Sequence, residues 1–331
     1  MEKIAVQSIK RELPPNITRA ELPGIPICME KSSVWSILKH SIGKDLTHLV
    51  IPIEYNEPLS FIQRFADYLE NTHIIKEALA CEDASERLQY IGAFAVSALD
   101  SIRVTKPFNP LLFETYELNK PELGFRFVAE QVSHHPPISA FHASSEDFEF
   151  FGTIAPELRF RGFYVYCKPN ARLTLKLKKS NDIYTWQATD CMIHNLFIGK
   201  MFMSLTGFLA VKYPLIHGDI VSQDGERICC VYGNFTEYLA SCPPRTFDSA
   251  YKEFVKTFKS KYSRSKLLWR AYRKPPRSTE FYNFTYFSLL LNEMPTDSQK
   301  LPRTDSRNRP DMRLMEQGEI DEASNESFAS K

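Results

Sequence analysis

The chain has no excess of charge of either sign. Its 41 lysines and arginines face 40 aspartates and glutamates, a net charge of +1. Without a global basic field, nucleic acid is not the partner its composition points to. It has no uninterrupted apolar stretch long enough to span a bilayer, so any membrane role is expected to be peripheral. No secretory signal is legible at the start, Glu2 stands where myristoylation needs glycine, and no prenylation box closes the chain. The seven cysteines are odd in number and form no C-x-x-C pair. Reduced thiols in the cytosol are therefore expected, with contact only at the surface of intracellular membranes. No internal repeat of fixed period is present. What remains is a 331-residue chain, 43% hydrophobic and 24% charged, as in globular proteins. Its 24 phenylalanines and 15 tyrosines suit a β-rich core or an apolar pocket.

The run Glu130-Gln131-Val132-Ser133-His134-His135-Pro136-Pro137 is the most informative local feature. Each proline fixes its own φ and pushes the preceding residue towards an extended conformation, so both histidines sit at a stiff, extended corner. Two imidazoles titrating near neutrality can share the charge of a phosphate. Three other uses compete. The pair can be satisfied histidines at a strand end. A metal site needs further ligands at suitable spacing, and no His/Cys/Asp grouping supplies them, so no metal is expected. A Ser133–His134 nucleophile pair lacks a G-x-S-x-G elbow, and no nucleophile–base–orienter set is visible, so no catalytic residue and no enzyme activity are expected.

The periodicity divides the chain. Residues 1–33 are broken by Pro14, Pro15, Pro23 and Pro26. From Val34 to Ser101 the pattern is helical: Val34, Trp35, Leu38 and Ile42 recur at three- and four-residue steps. Pro58 through Leu69 repeats the pattern, with Pro58 acceptable in a first turn. Asp83-Ala84-Ser85-Glu86 resembles a capping box. After Lys106 the signal is β. Phe125, Phe127 and Ala129 alternate with polar or smaller neighbours, as do Leu173, Leu175 and Leu177. Further strands are expected at 183–189, 227–238, 266–272 and 284–291, and a helix from the stripe Phe247, Tyr251, Phe254, Val255, Phe258. Consecutive strands without intervening helices argue an antiparallel meander that protects its edges by closing or nearly closing. From Asp297 onward the chain is polar, with few apolar residues to fold it alone.

The string EQVSHHPP, followed by Ile138-Ser139-Ala140, resembles the fingerprint of the oxysterol-binding-protein family of lipid-transfer proteins. Lys106-Pro107-Phe108-Asn109-Pro110-Leu111-Leu112-Phe113-Glu114-Thr115-Tyr116-Glu117 is similar to that family's K-P-x-N-P-x-x-G-E-T-Y-E segment, except that Phe113 replaces the glycine. Glycine serves where φ is positive or backbone must approach closely, so the turn's geometry is in question. Asn56–Ser60 and Arg307–Arg313 resemble further family segments, the latter its R-P-D-x-R stretch.

The resemblance implies an α+β fold: an N-terminal helical block and lid packed on a large, nearly closed antiparallel β-barrel with an enclosed lipid pocket. The expected division is a lid or leader over 1–33, a lipid-binding domain over 34–296 (helices 34–101, barrel 106–296), and a polar segment over 297–331. It implies a carrier of a sterol or of a phosphoinositide of the phosphatidylinositol 4-phosphate type, held one at a time and moved between membranes without cofactor or covalent chemistry. The implied headgroup residues are Lys106, His134 and His135, with Asn109 adding a hydrogen bond. A phosphatidylserine carrier is the alternative within the family. Two departures open a further one, a transfer-defective regulatory or scaffold form. After Ile198-Gly199-Lys200 the family continues through further strands, whereas here Met201–Lys212 bridges quickly to a later segment. The family's domain also runs on into a helix with a K-x-x-x-E-x-x-x-R spacing, and Ser327 stands about where its lysine belongs.

Overall fold

The computed structural model describes residues 12–24, 52–195, 202–206, 210–212, 215–257, 265–297 and 300–329. The helix expected from Val34 to Ile42, and most of the expected lid, lie outside them. The strands are β1 (Asn56–Ser60), β2 (Lys106–Phe108), β3 (Thr115–Lys120), β4 (Phe125–His134), β5 (Pro137–Ser145), β6 (Phe148–Ile154), β7 (Glu157–Phe160), β8 (Val165–Lys168), β9 (Arg172–Leu177), β10 (Ile183–Gln187), β11 (Asp190–His194), β12 (Phe202–Thr206), β13 (Ala210–Lys212), β14 (Leu215–Val221), β15 (Arg227–Asn234), β16 (Tyr238–Cys242) and β17 (Lys266–Arg270). The α-helices are α1 (Phe61–Arg64), α2 (His73–Ala80), α3 (Ala84–Ser97), α4 (Pro244–Thr257), α5 (Tyr286–Leu290), α6 (Pro310–Gln317) and α7 (Ile320–Ala329).

The chain forms two units, each assembled from separate stretches: Met1–Leu13, Tyr68–Ile102 and Ser204–Arg273 in one; Pro14–Asp67, Arg103–Met203 and Lys274–Lys331 in the other. In the first unit β13-β14-β15-β16-β17 make an antiparallel sheet. Leu215, Cys230, Tyr232, Tyr238, Ala240 and Cys242 bury one face of it with Phe247 of α4, as the aromatic stripe leads one to expect. Asp83 caps α3, its side chain accepting from the Glu86 amide at 2.7 Å. That is the interaction a helix N-terminus with unsatisfied amides requires.

The second unit carries the motifs. Six antiparallel strands run in the order β10-β9-β6-β5-β4-β3. The period-two pattern reads out directly: Phe125, Phe127 and Ala129 of β4 are buried, as are Leu173, Leu175 and Leu177 of β9. Aromatic rings form a row across the sheet, Phe127–Phe141 at 5.8 Å, Phe141–Phe150 at 5.1 Å and Phe150–Trp186 at 5.6 Å between centroids. The first two join neighbouring strands and help hold them in register, and the third reaches across β9. A second sheet runs β12-β11-β8-β7. The sheets are open in their strand order among the described residues, so an antiparallel α+β architecture stands, without a closed barrel.

Three expectations need correction. The strand expected at 284–291 is instead the helix α5 (Tyr286–Leu290), because Thr285 caps it, accepting from the Ser288 amide at 3.0 Å. A short apolar run has no period that separates the two states. Pro58 lies in β1, not in a first helical turn; the helix starts at Phe61, where Ser60 and Gln63 form a capping box. The polar segment after Asp297 folds into α6 and α7, since its few apolar residues are spent efficiently. Met312, Met315 and Ala323 are buried against Ile53 and Phe108.

The parallel pair β1–β2 sets Asn56 opposite Lys106, and a buried ion cluster locks it. Arg103, just ahead of β2, grips Glu57 of β1 bidentately at 3.1 and 3.1 Å and Asp67 at 2.9 Å. Thr105 donates to Glu57 at 2.6 Å, and Ser288 bridges Arg103 and Asp67 at 2.9 and 2.8 Å. Glu57 is 0% exposed. Burial alone would raise its carboxyl pKa; the guanidinium groups of Arg103 and Arg64 outweigh burial and hold it below the usual carboxylate value.

Two outcomes test this cluster. Glu57→Gln leaves a buried guanidinium undercompensated and should cost about 3–5 kcal/mol in denaturant unfolding at neutral pH. In the wild type the folded state binds fewer protons at Glu57 than the unfolded state does. Its stabilisation is therefore whole above the ordinary carboxylate pKa and is lost as pH falls through the lower folded value. The variant's stability should fall less steeply over that acid interval; equal slopes would show that Glu57 is not the group responsible.

Candidate functional site

Lys106 opens β2 and is half-buried, while Asn109 is exposed in the turn that follows. The Lys106 ammonium donates to Asn109 Oδ1 at 2.7 Å and to the Pro107 carbonyl at 3.2 Å. Accepting that bond fixes the Asn109 amide so that its NH2 faces away from the lysine. The pair thus presents a cation and an amide donor side by side.

A buried carboxylate holds the turn. Glu114 accepts from the Leu111 amide at 2.8 Å, from Ser60 Oγ at 2.5 Å, from Ser306 Oγ at 2.6 Å and from Arg309 Nη1 at 2.9 Å. The same Arg309 nitrogen donates to the Asn109 carbonyl at 2.9 Å, and Asp311 accepts from its other two nitrogens at 3.0 and 2.6 Å. The Arg309-Pro310-Asp311 segment therefore underpins the turn. Pro310 starts α6 and costs nothing there.

His134 ends β4 and His135 enters the tight turn to β5; both are exposed. Their ring centroids lie 4.7 Å apart at an interplanar angle of 77°, and the His135–Pro136 peptide is cis. The extended corner expected of the two prolines is a hairpin turn, and both rings share one side of it. Ser133 Oγ donates to the Pro136 carbonyl at 2.8 Å, which makes it a brace of the turn rather than a partner of His134.

The structure joins Lys106 to Asn109 and His134 to His135 by direct contact. It links the two pairs through backbone. The Phe113 amide donates to the Gln131 carbonyl at 2.9 Å, and the Gln131 amide donates to the Glu114 carbonyl at 3.0 Å. The turn is thereby fastened to β4 three residues before His134. Among the described residues no group of His, Cys, Asp and Glu has the arrangement of a metal site. What the assembly offers is a cation, an amide and two imidazoles on one rigid support, the donor set that suits phosphate oxygens.

Sequence reasoning missed Glu114, Ser306 and Arg309 as parts of this support. The signal was present in the acid that follows Phe113 and in R-P-D, but their contact spans 195 residues and leaves no local periodicity.

Phe113 answers the question its identity raised. It keeps a positive φ of 64°, the left-handed conformation that glycine adopts freely, and is 59% exposed.

The chain is also similar to known proteins. A family model described as oxysterol-binding protein matches residues 33–214 and 208–329. Human oxysterol-binding protein-related protein 1 is 40% identical over 360 aligned residues, covering 93% of this chain and 38% of that one. Human oxysterol-binding protein-related protein 2 is 38% identical, covering 93% of this chain and 75% of that one. The chain thus spans about two fifths of related protein 1. The alignment of 360 residues exceeds the 331 of the chain, so that relative carries residues within the aligned span that this chain lacks. Among solved structures, the Osh1 ORD domain in complex with cholesterol superposes with a TM-score of 0.82 at 29% identity, covering 98% of this chain and 81% of that one. The Osh3 ORD in complex with PI(4)P from Saccharomyces cerevisiae gives 0.78 at 26% identity, covering 98% and 86%.

A left-handed conformation costs an L-residue roughly 1–2 kcal/mol, partly offset by the freedom glycine gains in the unfolded chain. Phe113→Gly is therefore expected to raise unfolding stability by up to about 1 kcal/mol. A loss of stability in denaturant titration would mean that the Phe113 side chain holds the turn after all.

Proposed function

We propose that this chain, which belongs to the oxysterol-binding protein family, binds one lipid at a time, a sterol or a phosphoinositide of the phosphatidylinositol 4-phosphate type, and carries it between membranes. The observation that carries this is the pairing of Lys106–Asn109 with His134–His135 on a support clamped by buried Glu114. Relatives solved with cholesterol and with PI(4)P support it. In this account the phosphorylated headgroup sits on the Lys106 ammonium, the Asn109 amide and the two imidazoles, and the apolar part lies inside the protein.

The finer architecture belongs to the same proposal: strands curled into a nearly closed barrel around a lipid pocket, a lid over 1–33, a lipid-binding domain over 34–296, and a polar segment over 297–331. So does the setting, the cytosol with peripheral contact at intracellular membranes. No helix among the described residues is long and apolar enough to cross a membrane. Exchange runs by mass action and needs no covalent step, cofactor or metal.

One specific observation favours a second reading, a form deficient in transfer. The family match divides at residues 208–214. β12, just before that stretch, and β13, within it, stand at the edges of their sheets among the described residues. Missing strands there would leave unpaired edges and admit water to a lipid pocket. Phosphatidylserine as cargo is kept as the alternative ligand.

Extraction from liposomes separates these possibilities. His134→Ala with His135→Ala should weaken phosphoinositide extraction much more than sterol extraction, because a sterol has one hydroxyl and no phosphate. Equal losses with an intact fold would contradict the headgroup role. Lys106→Ala should lower phosphoinositide affinity by about 1.5–3 kcal/mol, the range for hydrogen bonds to charged groups. An unchanged titration would make Lys106 a brace of its own turn. Wild-type protein that binds lipid in solution yet moves none between vesicles would favour the second reading.

A further inference from the structure

The turn beside the headgroup residues ends in an apolar tip. Leu111, Leu112 and Phe113 are 40%, 47% and 59% exposed, and Val132 is 42% exposed. The bond from the Phe113 amide to the Gln131 carbonyl sets Phe113 beside Val132, which the irregularity between Gln131 and Ser133 takes out of the β4–β5 register. Exposure here does not come from fraying. Pro110 and Glu114 are buried on either side, and Glu114 bonds the Leu111 amide through its side chain and the Leu111 carbonyl through its own amide. The backbone is pinned while the apolar side chains are held out in water.

Phe113 sharpens the point. It occupies a conformation that disfavours any side chain, yet it buries little surface within the fold in return. Beside the base of the tip lie Lys106, His134 and His135, the basic groups of the headgroup site. The carboxylates beneath the turn, Glu114 and Asp311, are buried and both held by Arg309. An apolar tip within a basic collar matches the boundary between acyl chains and anionic headgroups.

We propose that Leu111, Leu112 and Phe113, with Val132, form a wedge that inserts into the interface of an anionic bilayer and docks the headgroup site against the membrane. This rests on the reading of Lys106, Asn109, His134 and His135 as a lipid headgroup site. The wedge is distinct from that site, since its side chains supply no hydrogen bonds to a headgroup.

The test compares wild type with Leu112→Ser/Phe113→Gly, a variant whose glycine relieves the positive φ. Co-sedimentation with phosphatidylcholine vesicles containing phosphatidylserine should fall about tenfold or more in the variant. Uptake of sterol or phosphoinositide presented in cyclodextrin or detergent should stay unchanged. Emission of a Phe113→Trp variant should shift to the blue on adding the same vesicles and be quenched by brominated acyl chains. Undiminished sedimentation of the double variant, or an unmoved tryptophan spectrum, overturns the wedge while leaving the lipid-binding reading intact. Equal binding to vesicles without phosphatidylserine overturns the basic collar. Should the double variant instead turn a wild-type dimer into a monomer without lipid, the tip is a self-association surface and the proposal falls. Failure of the wild type to take up lipid by any route would count against the carrier reading, and sedimentation and fluorescence would still decide the wedge.

Discussion

The ion cluster of Glu57, Arg103, Asp67 and Ser288 is the constraint on which the second unit depends. Its members come from three distant stretches of chain, and all are buried. Buried charge is expensive unless it is paired and its hydrogen bonds are met. Here the guanidinium meets both carboxylates and a hydroxyl, and the Phe284 ring lies 4.8 Å from it. The arrangement tolerates no alternative register of β1 against β2, since any slip would strand a charge in the interior. Lys106 follows Arg103 by three residues, so its position is fixed at the root.

A second clamp of the same kind, Glu114 with Arg309, holds the far end of the same segment. Together they explain why a nine-residue stretch containing two prolines and only the three-residue strand β2 presents a defined surface. They also explain the role of the C-terminal helices α6 and α7. Met312 and Met315 seat α6 beside Phe108, and that seating delivers Arg309 to the turn. The polar C-terminal segment is thus a structural part of the site's support.

Much of this was legible in the sequence. His-His-Pro-Pro announced a stiff corner, the alternation in β4 and β9 announced the sheet, and Asp83 announced the start of α3. The rest was not, for physical reasons. The run 284–291 is largely apolar, interrupted by Thr285 and Ser288, so its state turns on one threonine hydroxyl rather than on a period. The pairing of Glu114 with Arg309 depends on tertiary proximity, for which no local propensity exists. Phe113 marks the opposite case. Its departure from glycine is plain in the sequence, but only the structure shows that it adopts a positive φ and leaves its ring exposed.

Under the proposed function, a single pocket served by one headgroup site would make sterol and phosphoinositide mutually exclusive occupants. The most direct measurement is native mass spectrometry of the intact chain after incubation with vesicles that contain both lipids, followed by removal of the vesicles. The account expects adducts of one sterol or of one phosphoinositide per chain and none carrying both. A chain that emerges without any lipid, or with the two bound together, would contradict it.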